Sequence, residues 1–100
     1  MKNEMFDLIR EWAIEREITT KGDPKTQCLK LVEEVGELSK ALIEGVDEEV
    51  FDAIGDCVVV LTNLATLNGL KIEECIEYAY SQIKNRKGKL ENGTFIRDKS

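Results

Sequence analysis

Residues 31–61 read LVEEVGELSKALIEGVDEEVFDAIGDCVVVL, and their punctuation decides the fold. Two runs of helical periodicity meet at Gly45-Val46-Asp47. Advancing about 100° per residue, Leu31, Val35, Leu38 and Leu42 fall on one side of the helix before the turn. Lys30, Glu33, Glu37 and Glu44 fall on roughly the opposite side, with Glu34 at its edge. Upstream, Asp23 has the chemistry of an N-cap and Pro24 that of a first helical residue. The helix is therefore expected from Pro24 to Glu44, with Gly45 as its stop.

After the turn, Asp47 is expected to cap a helix with Glu48 and Glu49 in its first turn, running to Asn68 before Gly69. Beyond Asp56 this helix is apolar nearly all round (Val58, Val59, Val60, Leu61, Leu64, Ala65, Leu67). Such a rod must be enclosed, and three short helices hardly suffice, so burial against a second subunit is expected. Glu49, Asp52, Asp56 and Asn63 lie within about 60° of one another along it, a polar stripe on a greasy cylinder.

Outward from this pair, Met5, Leu8, Ile9, Trp12 and Ala13 mark a first helix over about 3–18, broken by Lys21-Gly22. A last helix is expected over about 72–84, with Ile72, Cys75, Ile76, Ala79 and Ile83 facing inward. Asn92-Gly93 between short alternating segments, over about 88–97, signals a β-hairpin. The chain reads as one all-α domain: a four-helix bundle completed by oligomerisation, with a short C-terminal hairpin.

The same turn brings acids together. Glu37 lies eight residues before Gly45 and Asp56 nine after Asp47, so both stand ~12–14 Å from the turn. Helix axes pack ~8–10 Å apart. Carboxylates on the facing sides can then share a hard divalent cation, which takes oxygen ligands at ~2.0–2.1 Å when it is magnesium. Glu33-Glu34 alone would usually be solvated surface. Asp52 and Asp56, flanking Ala53-Ile54-Gly55 and preceding an apolar run, would be costly to bury without neutralisation.

The bulk properties narrow the choice further. At 42% hydrophobic and 34% charged, the composition is that of a globular domain, and a net charge of −6 argues against nucleic acid or an anionic membrane as partner. The cysteines, three and so odd in number, are widely spaced (Cys28, Cys57, Cys75) and read as reduced, buried thiols of a cytoplasmic protein. Without histidine there is no Ser-His triad and no zinc site of the usual kind. The first residues lead into an amphipathic stretch without a signal-type apolar region. The longest unbroken apolar run, Cys57 to Leu61, is too short to span a bilayer.

At Glu33-Glu34-Val35-Gly36-Glu37-Leu38 and Gly55-Asp56-Cys57-Val58-Val59-Val60-Leu61 the sequence resembles the MazG-like family of all-α nucleoside triphosphate pyrophosphohydrolases, whose pattern is E-E-x-x-E, a spacer, then E-x-x-D and an apolar helix. Lys25 to Leu31 and Ile83 to Gly88 with the terminal hairpin resemble small, phage-type members. One position departs: the glutamate expected three residues before Asp56 is Ala53. Asp52, a turn before Asp56 on the same face, is its substitute. The register Glu49-Val50-Phe51-Asp52 is the other reading, at the cost of the apolar helix directly after the aspartate.

The resemblance implies magnesium-dependent (or manganese-dependent) hydrolysis of a nucleoside triphosphate to monophosphate and pyrophosphate. It implies metal ligands Glu34, Glu37, Asp52 and Asp56, with Glu33 or Glu34 orienting the attacking water. Lys30, Lys84, Arg86 and Lys87 are the candidate phosphate contacts, although cations at a helix C-terminus also suit its dipole. Trp12 either stacks a base or sits in the core. Asn63 either reads base or sugar or bonds across a homodimer or homotetramer interface. The competing expectation is a non-catalytic helical dimer that keeps the fold without turnover.

Overall fold

The computed structural model describes residues 4–99. Five helices precede a hairpin: α1 (Glu4–Glu15), α2 (Ile18–Lys21), α3 (Pro24–Glu44), α4 (Asp47–Leu67), α5 (Ile72–Ile83), β1 (Gly88–Glu91) and β2 (Thr94–Arg97). The Asp23-Pro24 signal behaves as expected. Asp23 Oδ1 accepts from the Thr26 amide at 2.9 Å, and Thr26 Oγ1 donates to Asp23 Oδ2 at 2.8 Å. These bonds to the charged form hold the Asp23 carboxyl below its usual range.

Gly45 closes α3 in the left-handed region (φ 72°, ψ 32°), and its amide donates to the Ala41 carbonyl at 2.9 Å. The chain then needs one extended residue before it can coil again. Val46 (φ −97°, ψ 93°) fills that role, so Val46 is the N-cap of α4 and Asp47 its first helical residue. The expected Asp47 cap is thus displaced by one position, with no side-chain capping bond. Asp47, Glu48 and Glu49 still occupy the first turn, where acids suit the dipole.

α3 and α4 make the principal packing of the molecule, and α4 also meets α1, α2 and α5. Ala13, Ala41, Ala53, Val60 and Ala65 are buried, together with Phe6. Small residues dominate this core.

The first expected helix is two. Glu17 adopts φ 60° and its amide donates to the Ile14 carbonyl at 3.0 Å, which ends α1 and re-aims α2 toward α4. No glycine or proline marks that break, so periodicity alone ran through it.

Three further expectations are corrected. α5 has no buried residue: Ile76 is 40% and Ile83 51% exposed, and Cys75 is exposed, so its apolar stripe does not face inward within this chain. Cys28 is likewise exposed and Cys57 half-buried; the three thiols are free, but not all buried. Finally, α4 is 21 residues long with mean hydropathy 1.6 over its most apolar window, long and apolar enough by composition to cross a membrane. Counting only the unbroken run from Cys57 to Leu61 missed this. In the fold, α4 is the helix around which the others gather.

The hairpin follows the expected chemistry. Asn92 (φ 50°) and Gly93 (φ 79°) both take the left-handed conformation that a two-residue turn of this kind demands. Lys89 pairs with Ile96, Leu90 with Phe95 and Glu91 with Thr94.

Candidate active site

Because α3 and α4 fold back at Gly45, their acid-bearing edges stand side by side. Glu37, Lys40, Glu49, Asp52, Ala53 and Asp56 line one groove of about 320 Å³. A second, of about 330 Å³, takes Glu34, Asp56 and Asn63 with Trp12, Lys30 and Gln27 among its walls. Asp56 belongs to both, so the two are neighbouring compartments of one site.

Glu34 is the unusual residue. It is only 7% exposed, and its Oε2 has no hydrogen-bond partner. Its other oxygen is 3.2 Å from Lys30 Nζ, which also reaches Glu33 Oε1 at 3.3 Å. These two carboxylates, Glu34 foremost, hold the Lys30 ammonium above its ordinary range.

The electrostatics report crowding. The Glu37 carboxyl is pushed up chiefly by the charge of Glu34. That of Asp56 is pushed up first by burial, then by Asp52 and Glu34. Both shifts say that negative charge here is unwelcome unless countered.

Among the described residues, no three acids stand close enough together to grip a metal ion as they are. The four expected ligands share one face and two joined grooves, yet they are not a finished cage. Carboxylates of like sign spread apart, and Lys30 draws Glu33 and Glu34 toward itself. The donor set nevertheless fits a hard cation: all oxygen, acidic, with a buried and unsatisfied atom on Glu34.

Trp12 lines the groove, its ring also carrying the Arg16 guanidinium 4.6 Å from the centroid, and it is 41% exposed. It is therefore not a core tryptophan. Asn63 is buried at 3% exposure with Oδ1 unpartnered, and lines the same groove.

The basic cluster lies elsewhere. Arg86 and Lys87 line a hollow with Asn85, Arg97, Asp98 and Lys99 that shares no residue with the acidic grooves, and Lys84 is the exposed C-cap of α5. The fold does not bring these cations onto the carboxylates of their own chain.

Four contributors escaped the sequence reading. Gln27 and Thr26 line the Trp12 groove, one helical turn before Lys30. Lys40, at i+3 from Glu37, was findable by spacing alone. Arg97 joins the basic hollow through the hairpin register that pairs it with Gly88.

A family model described as the MazG nucleotide pyrophosphohydrolase domain matches residues 23–90, which takes in α3, α4, α5 and the start of β1. An uncharacterized 18.2 kDa protein in the rep-hol intergenic region of Haemophilus phage HP1 (strain HP1c1) is 38% identical over 60 residues. That stretch is 60% of this chain and 37% of the phage protein, so the chain spans well under half of that relative. No solved structure matches. With a matched region that covers most of the chain and both acidic helices, the chain belongs to the MazG nucleotide pyrophosphohydrolase domain family.

Proposed function

We propose that this chain is a homo-oligomeric nucleoside triphosphate pyrophosphohydrolase, releasing nucleoside monophosphate and pyrophosphate in the cytoplasm. The observation that carries the reading is the buried, half-unsatisfied Glu34 in a groove shared with Asp56. A carboxylate oxygen kept from water and from protein donors is costly unless a cation meets it.

Glu34, Glu37, Asp52 and Asp56 would hold magnesium, or manganese in its place. Bound there, the ion supplies positive charge for phosphate oxygens and acidifies water at the site. The remaining work falls to the chain's own side chains. Lys30, at the lip of the groove, offers an ammonium to a phosphate oxygen while restraining Glu33 and Glu34. Glu34 within the groove, or Glu33 beside it on the Lys30 ammonium, would take a proton from water attacking the α-phosphorus. The α–β anhydride bond breaks, and pyrophosphate leaves with the electron pair of the bridging oxygen. Trp12 offers its ring face to a base, and the Asn63 amide offers hydrogen bonds to base or sugar.

The test is pyrophosphate release across a panel of canonical and modified nucleoside triphosphates with magnesium. Turnover of at least one substrate, lost in Glu37→Gln, is the expected result. Absence of metal-dependent turnover on the whole panel would favour a helical module without catalysis, the reading that Ala53 keeps alive.

A further inference from the structure

From Glu74 to Lys99 every residue is exposed. This stretch holds most of α5 and the whole hairpin; α5 touches α4, yet none of these residues is buried. Ile76, Tyr80 and Ile83 recur at i, i+4 and i+7 on α5, at 40%, 62% and 51% exposure. On the hairpin, the Leu90–Phe95 pair leaves 72% and 51% of those side chains open. An isolated two-stranded hairpin is marginal in water and needs a surface to rest on. The radius of gyration, 16.0 Å, exceeds the ~13 Å of a compact chain of this length.

Charge says what that surface is. Residues 84–99 carry six cations (Lys84, Arg86, Lys87, Lys89, Arg97, Lys99) and two acids (Glu91, Asp98), a net +4. The whole chain is −6, which leaves −10 on the remainder. Lys84, Arg86, Lys87 and Arg97 form no ion pair among the described residues. The acidic grooves, meanwhile, have only Lys30 and Lys40 as cations, and Lys30 is occupied by Glu33 and Glu34.

We propose that residues 74–99 form an arm that packs on a second copy of this chain and sets Arg86, Lys87 and Arg97 beside that copy's carboxylate groove. Resting on the phosphate chemistry proposed above, the arm supplies in trans the positive charge that leaving pyrophosphate requires and that the groove lacks in cis. Each active site is then built from two chains, and a monomer is inactive by construction.

The test is complementation between two full-length variants. Glu37→Gln disables the groove, and Arg86→Gln combined with Lys87→Gln disables the arm; each alone loses pyrophosphate release. Co-expressed with different tags and purified through both, the mixed dimer carries one intact site. It regains about half the wild-type rate per chain pair, as two-fold symmetry dictates. A mixed dimer as inactive as its parents would overturn the trans arrangement, and so would an arm variant with wild-type turnover.

A readout without catalysis separates this proposal from the activity itself. A photo-crosslinking amino acid at Phe95 in the full chain should give a covalent dimer on a denaturing gel, attached at α3 or α4 of the other copy. Crosslinks confined to one chain refute the arm even if the enzyme turns over. An interchain crosslink from a protein that hydrolyses nothing keeps the arm and refutes the chemistry. An oligonucleotide mobility shift that depends on Arg86 and Lys87, without an interchain crosslink, would give the arm to nucleic acid instead.

Discussion

Asp56 carries two opposed demands that single substitutions can separate. Its carboxyl is pushed up by burial and by Asp52 and Glu34, so its charge works against the folded state at neutral pH. If that charge is kept to hold a cation, Asp56→Asn should remove pyrophosphate release while leaving Tm unchanged or raised. The expected loss in kcat/KM is about 100-fold or more, beyond the 10–100-fold typical of a second-shell partner. A fall in Tm would instead mark Asp56 as structural. Such identities were visible in the sequence: the E-E-x-x-E spacing and the equal heights of Glu37 and Asp56 rest on helix geometry alone. The unpartnered Glu34 Oε2 was not, because it depends on how deeply α3 sinks against α4. The separation of Arg86 and Lys87 from the grooves was hidden too, since no local rule gives the direction of α5.

Among the elements, the α3–α4 turn was the most legible because its signals are stereochemical. Gly45 at φ 72° tolerates no side chain without strain, yet a Cβ placed there would meet nothing within 4 Å. Gly45→Ala should thus cost only the left-handed penalty of about 1–2 kcal/mol. A lowering of Tm by roughly 4–8 °C for each kcal/mol follows for a domain of this size, read by thermal melting. No change would mean that the turn relaxes to another conformation. The α1–α2 break was illegible for the converse reason: Arg16 and Glu17 carry no turn chemistry, and the break lies between two helices that both contact α4.

The N-terminal end of α5 is tied down by charge. Arg10 Nη1 donates to Glu73 Oε1 at 2.7 Å and Nη2 to Oε2 at 2.6 Å, while Nη2 also reaches Asp7 Oδ1 at 2.6 Å. Hydrogen bonding to Arg10 holds the Glu73 carboxyl at about 2, against 4.5 ordinarily. The folded state therefore releases this proton more readily than the unfolded one. Its stabilisation is complete above pH 4.5 and lost as pH falls through that value toward about 2. Glu37 and Asp56, shifted upward, act in the opposite sense, so the difference between wild type and Glu73→Gln isolates the pair. That difference in Tm should shrink steadily from pH 5 to pH 2; a constant offset would show that the pair does not titrate with folding.

At the scale of the whole molecule, the surface is too large for a self-sufficient chain. It amounts to 7958 Å², where a folded monomer of 11.3 kDa should expose about 5,700 Å². The surplus of about 2,200 Å² exceeds the ~800 Å² per partner of a standard interface. Its location is as telling as its size. Val32, Val35 and Leu42 on α3, with Ile54, Val58 and Leu61 on α4, are all at least 37% exposed. By helical rotation they lie on the side of the pair opposite Glu37 and Asp52. A hairpin of helices with acids on one side and aliphatics on the other would bury the second by meeting its own copy, completing a four-helix bundle and keeping the acidic side accessible to the proposed arm. Light scattering at micromolar concentration should then give at least twice 11.3 kDa. Ile54→Lys, placing a charge in the middle of the apolar face, should shift that mass toward the monomer and lower Tm, because the bundle loses half its core. A wild-type chain that runs as a stable monomer would leave the aliphatic face without a role, and the enclosure of α4 would need another partner.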